Sequence, residues 1–149
     1  MKRDILKKLA LLSVFGLSTC ALFADEVTTD VTKLPKPALE FAAKAFPNAK
    51  VVGIEIDTSL LKSTEYDATL SDGSKIEYDS AGNWTDIESR FTGVPQSVLP
   101  KEVVAYLDSN YKGQKIKSVS KERYGWEVEL INGLELKLSA AGQLLEIDN

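Results

Sequence analysis

The 149-residue sequence has no histidine, one cysteine and one methionine. Without histidine, the chain lacks the side chain that most often moves protons near neutral pH and most often ligates zinc. The lone cysteine, Cys20, excludes a disulfide framework or a cysteine metal cluster within one chain. An excess of basic charge is missing as well. Eighteen lysines and arginines stand against 22 aspartates and glutamates, for a net charge of -4. Sequence-independent binding to nucleic acid needs a basic surface to displace counterions, so nucleic acid is not an expected partner. A long apolar run is also absent, and the one near the N-terminus is too short for a comfortable membrane span. With 44% hydrophobic residues the remainder is globular, either one ordinary domain or two small repeats sharing a core.

Lys2, Arg3, Lys7 and Lys8 precede the apolar stretch Leu9 to Leu17, and Leu22-Phe23-Ala24 suits a signal-peptidase cut before Asp25. Residues 1–24 are therefore predicted to be an export signal, which places the protein in the periplasm or cell envelope with no transmembrane segment in the mature chain. Leu17-Ser18-Thr19-Cys20 resembles a bacterial lipobox, which makes Cys20 a candidate lipidation site. Thr19 is a poor match to the small residue expected before that cysteine, so a soluble exported protein is favoured over a lipoprotein. Residues 25–33 are short and polar and are read as a leader into the domain.

From residue 34 the chain states one pattern and then restates it. Leu34-Pro35-Lys36 opens a helical stripe of Ala38, Phe41, Ala42, Ala45 and Phe46, stopped by Pro47-Asn48. A strand over Lys50 to Asp57 comes next. Tyr66 to Trp84 then alternates apolar with polar residues and breaks at Ser71-Asp72-Gly73 and Ser80-Ala81-Gly82, as an antiparallel meander does. Leu99-Pro100-Lys101 starts the second statement, with Val103, Tyr106, Leu107 and Tyr111 as its helical stripe. Gly133 answers Gly73, Gly142 answers Gly82, and Ile147 answers Ile87 at one constant offset. The expected organisation is α+β: a first repeat over 34–90, then a linker and second repeat over 91–149, in one shared domain. Each repeat is a helix plus four strands, with both helices on one face of an antiparallel sheet.

In that arrangement Tyr66, Ala68, Leu70, Ile76 and Tyr78 face the helices in the first half, and Trp126, Val128, Leu130, Leu136 and Leu138 do so in the second. Their alternating partners Asp67, Thr69, Lys75, Glu77, Glu127, Glu129, Glu135 and Lys137 share the opposite face, which no remaining segment covers. That face is either solvated surface or a docking platform for a protein or peptide. These eight residues are the candidate partner-binding set. Reversing the charge of Glu127 plus Glu129 is expected to weaken such docking while leaving stability nearly unchanged. Acids alternating with lysines on an open face are explained by cross-strand pairing and solubility rather than catalysis. Asp72-Gly73 and Asp79-Ser80-Ala81-Gly82 lack the dense oxygen ligands and closing glutamate of a calcium loop. No serine has a histidine to activate it, and no serine-lysine or nucleophile-elbow spacing occurs. Trp84 is expected to pack at the sheet edge rather than stand out as an anchor.

Leu34-Pro35-Lys36, Phe46-Pro47-Asn48-Ala49-Lys50, Leu70 to Tyr78 and Gly82-Asn83-Trp84 resemble the PepSY-like, β-lactamase-inhibitor-like family of exported bacterial proteins. The second half departs from that pattern at Tyr111-Lys112-Gly113 and at Gly142-Gln143-Leu144. The resemblance implies a periplasmic or surface-associated module with a sheet like that of the β-lactamase inhibitor protein. It also implies a loose association with the restraint of peptidases. The resulting expectation is an exported, non-enzymatic binding or inhibitory module without a cofactor or metal. A structural or accessory envelope protein, held by lipid on Cys20, is the alternative.

Overall fold

The structure, a computed structural model, describes residues 23–59 and 62–149. Cys20 and most of the predicted export signal lie outside these residues.

Helix α1 spans Lys36–Ala45 and α2 spans Lys101–Asn110. Each begins directly after a proline, Pro35 or Pro100, whose missing N–H costs nothing at a helix start. Glu102 in the first turn of α2 also complements the helix dipole. Each helix ends on an aromatic residue whose amide bonds back one turn: Phe46 to Ala42 O at 2.9 Å and Tyr111 to Leu107 O at 2.7 Å. The predicted stripes are the faces that pack. Ala38, Ala42 and Ala45 are buried on α1 and Val103 and Leu107 on α2, while Phe41, Tyr106 and Tyr111 are half-buried against the core.

The strands are β1 (Phe23–Thr28), β2 (Val51–Ser59), β3 (Glu65–Leu70), β4 (Lys75–Tyr78), β5 (Trp84–Glu88), β6 (Ile116–Glu122), β7 (Gly125–Leu130), β8 (Glu135–Ser139) and β9 (Leu144–Asp148). They form one antiparallel sheet in chain order, β1 to β9, with α1 inserted between β1 and β2 and α2 between β5 and β6. Pairing of β5 with β6, Ile87 opposite Val119, fuses the two halves into one sheet. Ala68, Leu70, Ile76, Tyr78, Val128, Leu130, Leu136 and Leu138 are buried against the helices, as the alternation predicts, and Tyr66 and Trp126 are half-buried. Tyr78 donates its hydroxyl to Ala38 O at 3.0 Å, which ties the sheet to α1.

Local geometry recurs between the halves. The β3–β4 turn closes with Gly73 N to Leu70 O at 3.0 Å and the β7–β8 turn with Gly133 N to Leu130 O at 2.9 Å. Ser71 N bonds Lys50 O, and Ile131 N bonds Lys115 O. Register shifts fall at Val51/Gly53 and Ile116/Ser118, and again at Glu77/Tyr78 and Lys137/Leu138. The β4–β5 and β8–β9 turns carry Gly82 at φ +84° and Gly142 at φ +76°, each pressed against the start of a helix.

Two expectations are corrected. The segment read as a leader supplies β1, an edge strand whose Asp25 to Thr28 pair with Asp57 to Ile54, followed by a short 3-10 turn at Val31–Lys33 capped by Asp30. An edge strand wetted on both sides needs no apolar alternation, and its Val27 is 78% exposed, so periodicity did not reveal it. Trp84 packs, but not at an edge: β5 is the middle strand of nine.

Candidate functional site: an acidic open sheet face

The helices occupy one face of the sheet, and among the described residues no element covers the other. Cross-strand register places side chains on that open face in rows. One row runs Glu55 on β2, Asp67 on β3, Glu77 on β4, Asp86 on β5, Ser120 on β6, Glu127 on β7, Lys137 on β8 and Glu146 on β9. From β2 to β7 every member is a carboxylate except Ser120. Like charges directly opposed across strands do not attract one another, so strand pairing alone does not call for such a row. A neighbouring row runs Thr69, Lys75, Glu88, Ser118, Glu129, Glu135 and Asp148. The basic residues flank the acids. Arg90 pairs with Glu88, Lys117 with Glu129 at 2.5 Å, and Lys137 with Glu146 at 2.6 Å and Asp148 at 3.3 Å.

Beta6 contributes the floor. Ser118 and Ser120 are buried although they point to the open side, because their short side chains lie between the longer acids of β5 and β7. Ser120 donates to the carboxylate of Asp86. Burial, aided by repulsion from Glu88, Glu127 and Glu122, nonetheless pushes Asp86 up to about 6. Glu135 is also pushed up, by burial first and then by Glu127. Glu127 accepts the Tyr124 hydroxyl at 2.8 Å.

The raised acid fixes the sign of a pH effect. In the folded protein Asp86 holds its proton up to about pH 6, whereas the unfolded chain loses it near 3.8. The native state therefore binds more protons in that window, and stability falls as pH rises from about 4 to about 6. Asp86→Asn, which retains an acceptor for Ser120, is expected to remove this slope and gain on the order of 2 kcal/mol at pH 7. Urea unfolding of both proteins at pH 4.5 and pH 7 checks it; an unchanged slope in the variant would assign the pH dependence to other groups.

All eight sequence-predicted residues sit on this one face. The structure adds Glu55, Asp86, Glu88, Arg90, Lys117, Ser118, Ser120, Glu146 and Asp148. Most of their signal was present in the outward positions of β2, β5, β6 and β9, but the register that aligns them into rows is not a property of any one strand. The register also qualifies one expectation: because Glu129 is the partner of Lys117, reversing its charge removes an ion pair as well as a surface charge.

The turn acids serve the turns. Asp79 accepts from Ala81 N at 3.0 Å, Asn83 N at 2.9 Å and Asn83 Nδ2 at 3.1 Å. Partial burial opposes its ionisation, but these bonds outweigh it and hold Asp79 below the usual range. Asp72 is held low in the same way, by Ser74 and Thr92 against partial burial. Among the described residues no group of three or more acids is arranged to hold a metal ion. A hollow of about 690 Å³ lies between the loops that follow α1 and α2, lined in part by Pro47, Asn48, Thr92, Gln114 and Lys115. It brings together no comparable set of charges. No helix among the described residues is long and apolar enough to cross a membrane.

The fold and the face define a two-layer α+β module with two helices on one side of a nine-stranded antiparallel sheet. The family described as "Putative beta-lactamase-inhibitor-like, PepSY-like" matches residues 64–146, and the chain belongs to it. A crystal structure of a "putative periplasmic protein of unknown function" from Bacteroides vulgatus is 36% identical, with a TM-score of 0.79, covering 85% of this chain and 100% of its own. A "putative calcium-regulated periplasmic protein" from Bacteroides thetaiotaomicron is 30% identical, with a TM-score of 0.77, covering 84% and 97%. No curated protein matches the chain.

Proposed function

We propose that the protein is an exported, non-enzymatic module that binds a protein or peptide, and thereby restrains a peptidase-like partner, through its open sheet face. The observation that carries this reading is the row of carboxylates held in register on a face that no element among the described residues covers. Periplasmic relatives support export, and the family's inhibitor-like description supports binding rather than turnover. The module is built from a duplicated helix-plus-four-strand unit. That reading draws support from the matched turn glycines, helix-ending bonds and register shifts of the two halves. In this view residues 1–24 are removed on export and the mature face is presented to the periplasm.

The test is capture of partners from the protein's own envelope fraction, compared with the variant Glu55→Lys, Glu127→Lys. Glu55 is exposed, and among the described residues the hydrogen bond to Glu127 comes from the Tyr124 hydroxyl at the surface, so the stability change should stay within about 0.5 kcal/mol. A partner held by the wild type and lost by the variant supports the reading. A partner retained by the variant refutes it. A partner absent in both, with lipid on Cys20, would favour a structural role in the envelope.

A further inference from the structure

We propose that the occupant of the open face is a cationic segment of its protein partner, bearing lysine or arginine at several positions and lying across the strands; this rests on the sheet-face reading above. Charge complementarity selects that chemistry. The first 22 residues hold four of the 18 basic residues and one of the 22 acids, so residues 23–149 hold 14 bases against 21 acids. By register and alternation, 14 of those 21 acids project from the open face. They include Asp25, Asp57 and Glu65 toward β1 and Glu122 beside β7, as well as the two rows. Among the described residues four basic ones reach the same side, Lys75, Arg90, Lys117 and Lys137, and the last three are engaged by acids of the rows. The carboxylate row from Glu55 to Glu127 contains no base along six strands. At about 4.8 Å between strands it is about 24 Å long, which an extended segment of about eight residues crosses. Small side chains at Ser118 and Ser120 keep the floor low, so long basic side chains can reach Asp86 while their stems lie along the neighbouring acids.

The probes are an alternating lysine-serine peptide of about eight residues and its glutamate-serine counterpart, titrated against the full exported protein by fluorescence anisotropy. The lysine peptide should bind and the glutamate peptide should not. Affinity should fall steeply as the Debye length shrinks from about 30 Å at 0.01 M salt to about 8 Å at 0.15 M. Glu77→Gln with Glu127→Gln should weaken the lysine peptide roughly tenfold, while Glu40→Gln with Glu102→Gln, an equal charge loss on the helices, should leave it unchanged. Equal weakening by both variants would mean non-specific attraction and overturn the proposal. Calcium or magnesium ions that bind the wild type, displace the peptide and are lost from the Glu77→Gln, Glu127→Gln variant would make the occupant a divalent cation instead. Self-association abolished by the same variant would make it a second copy. The two readings fail separately. A native partner lost on charge reversal but indifferent to salt and to the neutral row variant leaves the sheet-face function standing and refutes the cationic segment. A native partner that survives the reversal refutes the face itself.

Discussion

Gly142→Ala is expected to destabilise the fold by about 3 kcal/mol, whereas Gly133→Ala costs about 1 kcal/mol. Both glycines have positive φ, +76° and +91°, so both substitutions incur the left-handed strain of an L-residue. Their surroundings differ. A Cβ on Gly133 meets nothing within 4 Å, while one on Gly142 would lie 2.6 Å from the backbone carbonyl of Glu102 in the first turn of α2. Backbone cannot rotate away as a side chain does, so α2 must shift as a body and disturb Val103 and Leu107 beneath it. The difference between the two variants, read by urea unfolding, isolates the seat of the helix on the turn from the strain common to both. Equal losses would mean that α2 moves off the turn freely and that the turn does not position the helix. Gly82 occupies the corresponding place in the first half, where an added Cβ would lie 2.9 Å from Pro35 Cβ and 3.2 Å from Ala38 N.

That close approach explains why so much of the fold is legible in the sequence. Glycine recurs at 82 and 142 where a turn must both adopt positive φ and admit a helix start, so the sequence carries the same mark twice. Alternation in β3, β4, β7 and β8 is equally clear, because one face of each strand is dry and the other wet. Beta1 escaped because Asp25 to Thr28 lie on an edge with no dry face of their own. The candidate site is legible only in pieces. Each strand shows which residues point outward, but the alignment of Glu55, Asp67, Glu77, Asp86 and Glu127 depends on register across six strands. That register is set by the turns and by the shifts at Val51/Gly53 and Glu77/Tyr78. A one-residue slip of any strand would break the row. Asp86 was the hardest to see, because nothing local to Trp84–Glu88 distinguishes a half-buried outward acid from an exposed one. Its burial comes from its neighbours on β6 and β7.

Trp84→Ala is expected to cost about 4 kcal/mol, whereas Leu144→Ala costs about 1 kcal/mol or less. The two residues hold corresponding places after Gly82 and Gly142, at the starts of β5 and β9. Trp84 is 7% exposed and Leu144 38%. The difference comes from the strands lying beyond each one in the sheet. Past β5 lie β6 and β7, so Trp84 is enclosed: it stacks on Phe41 of α1 with ring centroids 5.8 Å apart, meets Trp126 of β7 at 5.8 Å, and carries the Lys121 ammonium 3.9 Å above its ring. Beta9 has no neighbouring strand on its far side among the described residues, so Leu144 gains little from the same position. Trp84 is thus a wall shared by the two halves, touched by α1 from one side and by β6 and β7 from the other. Truncation leaves Phe41 and Trp126 facing a void that neither helix can close without leaving its glycine turn. Lys121 reports the same enclosure: burial lowers its pKa, against the pull of Asp79. Trp84→Phe should recover much of the loss, and a double-mutant cycle of Trp84→Ala with Lys121→Met should yield a coupling of roughly 0.5–1 kcal/mol for the cation over the ring. Chemical denaturation of the set checks it. A Trp84→Ala loss no greater than that of Leu144→Ala would show that the halves are held together by strand pairing of β5 with β6, and not by the aromatic seam behind it.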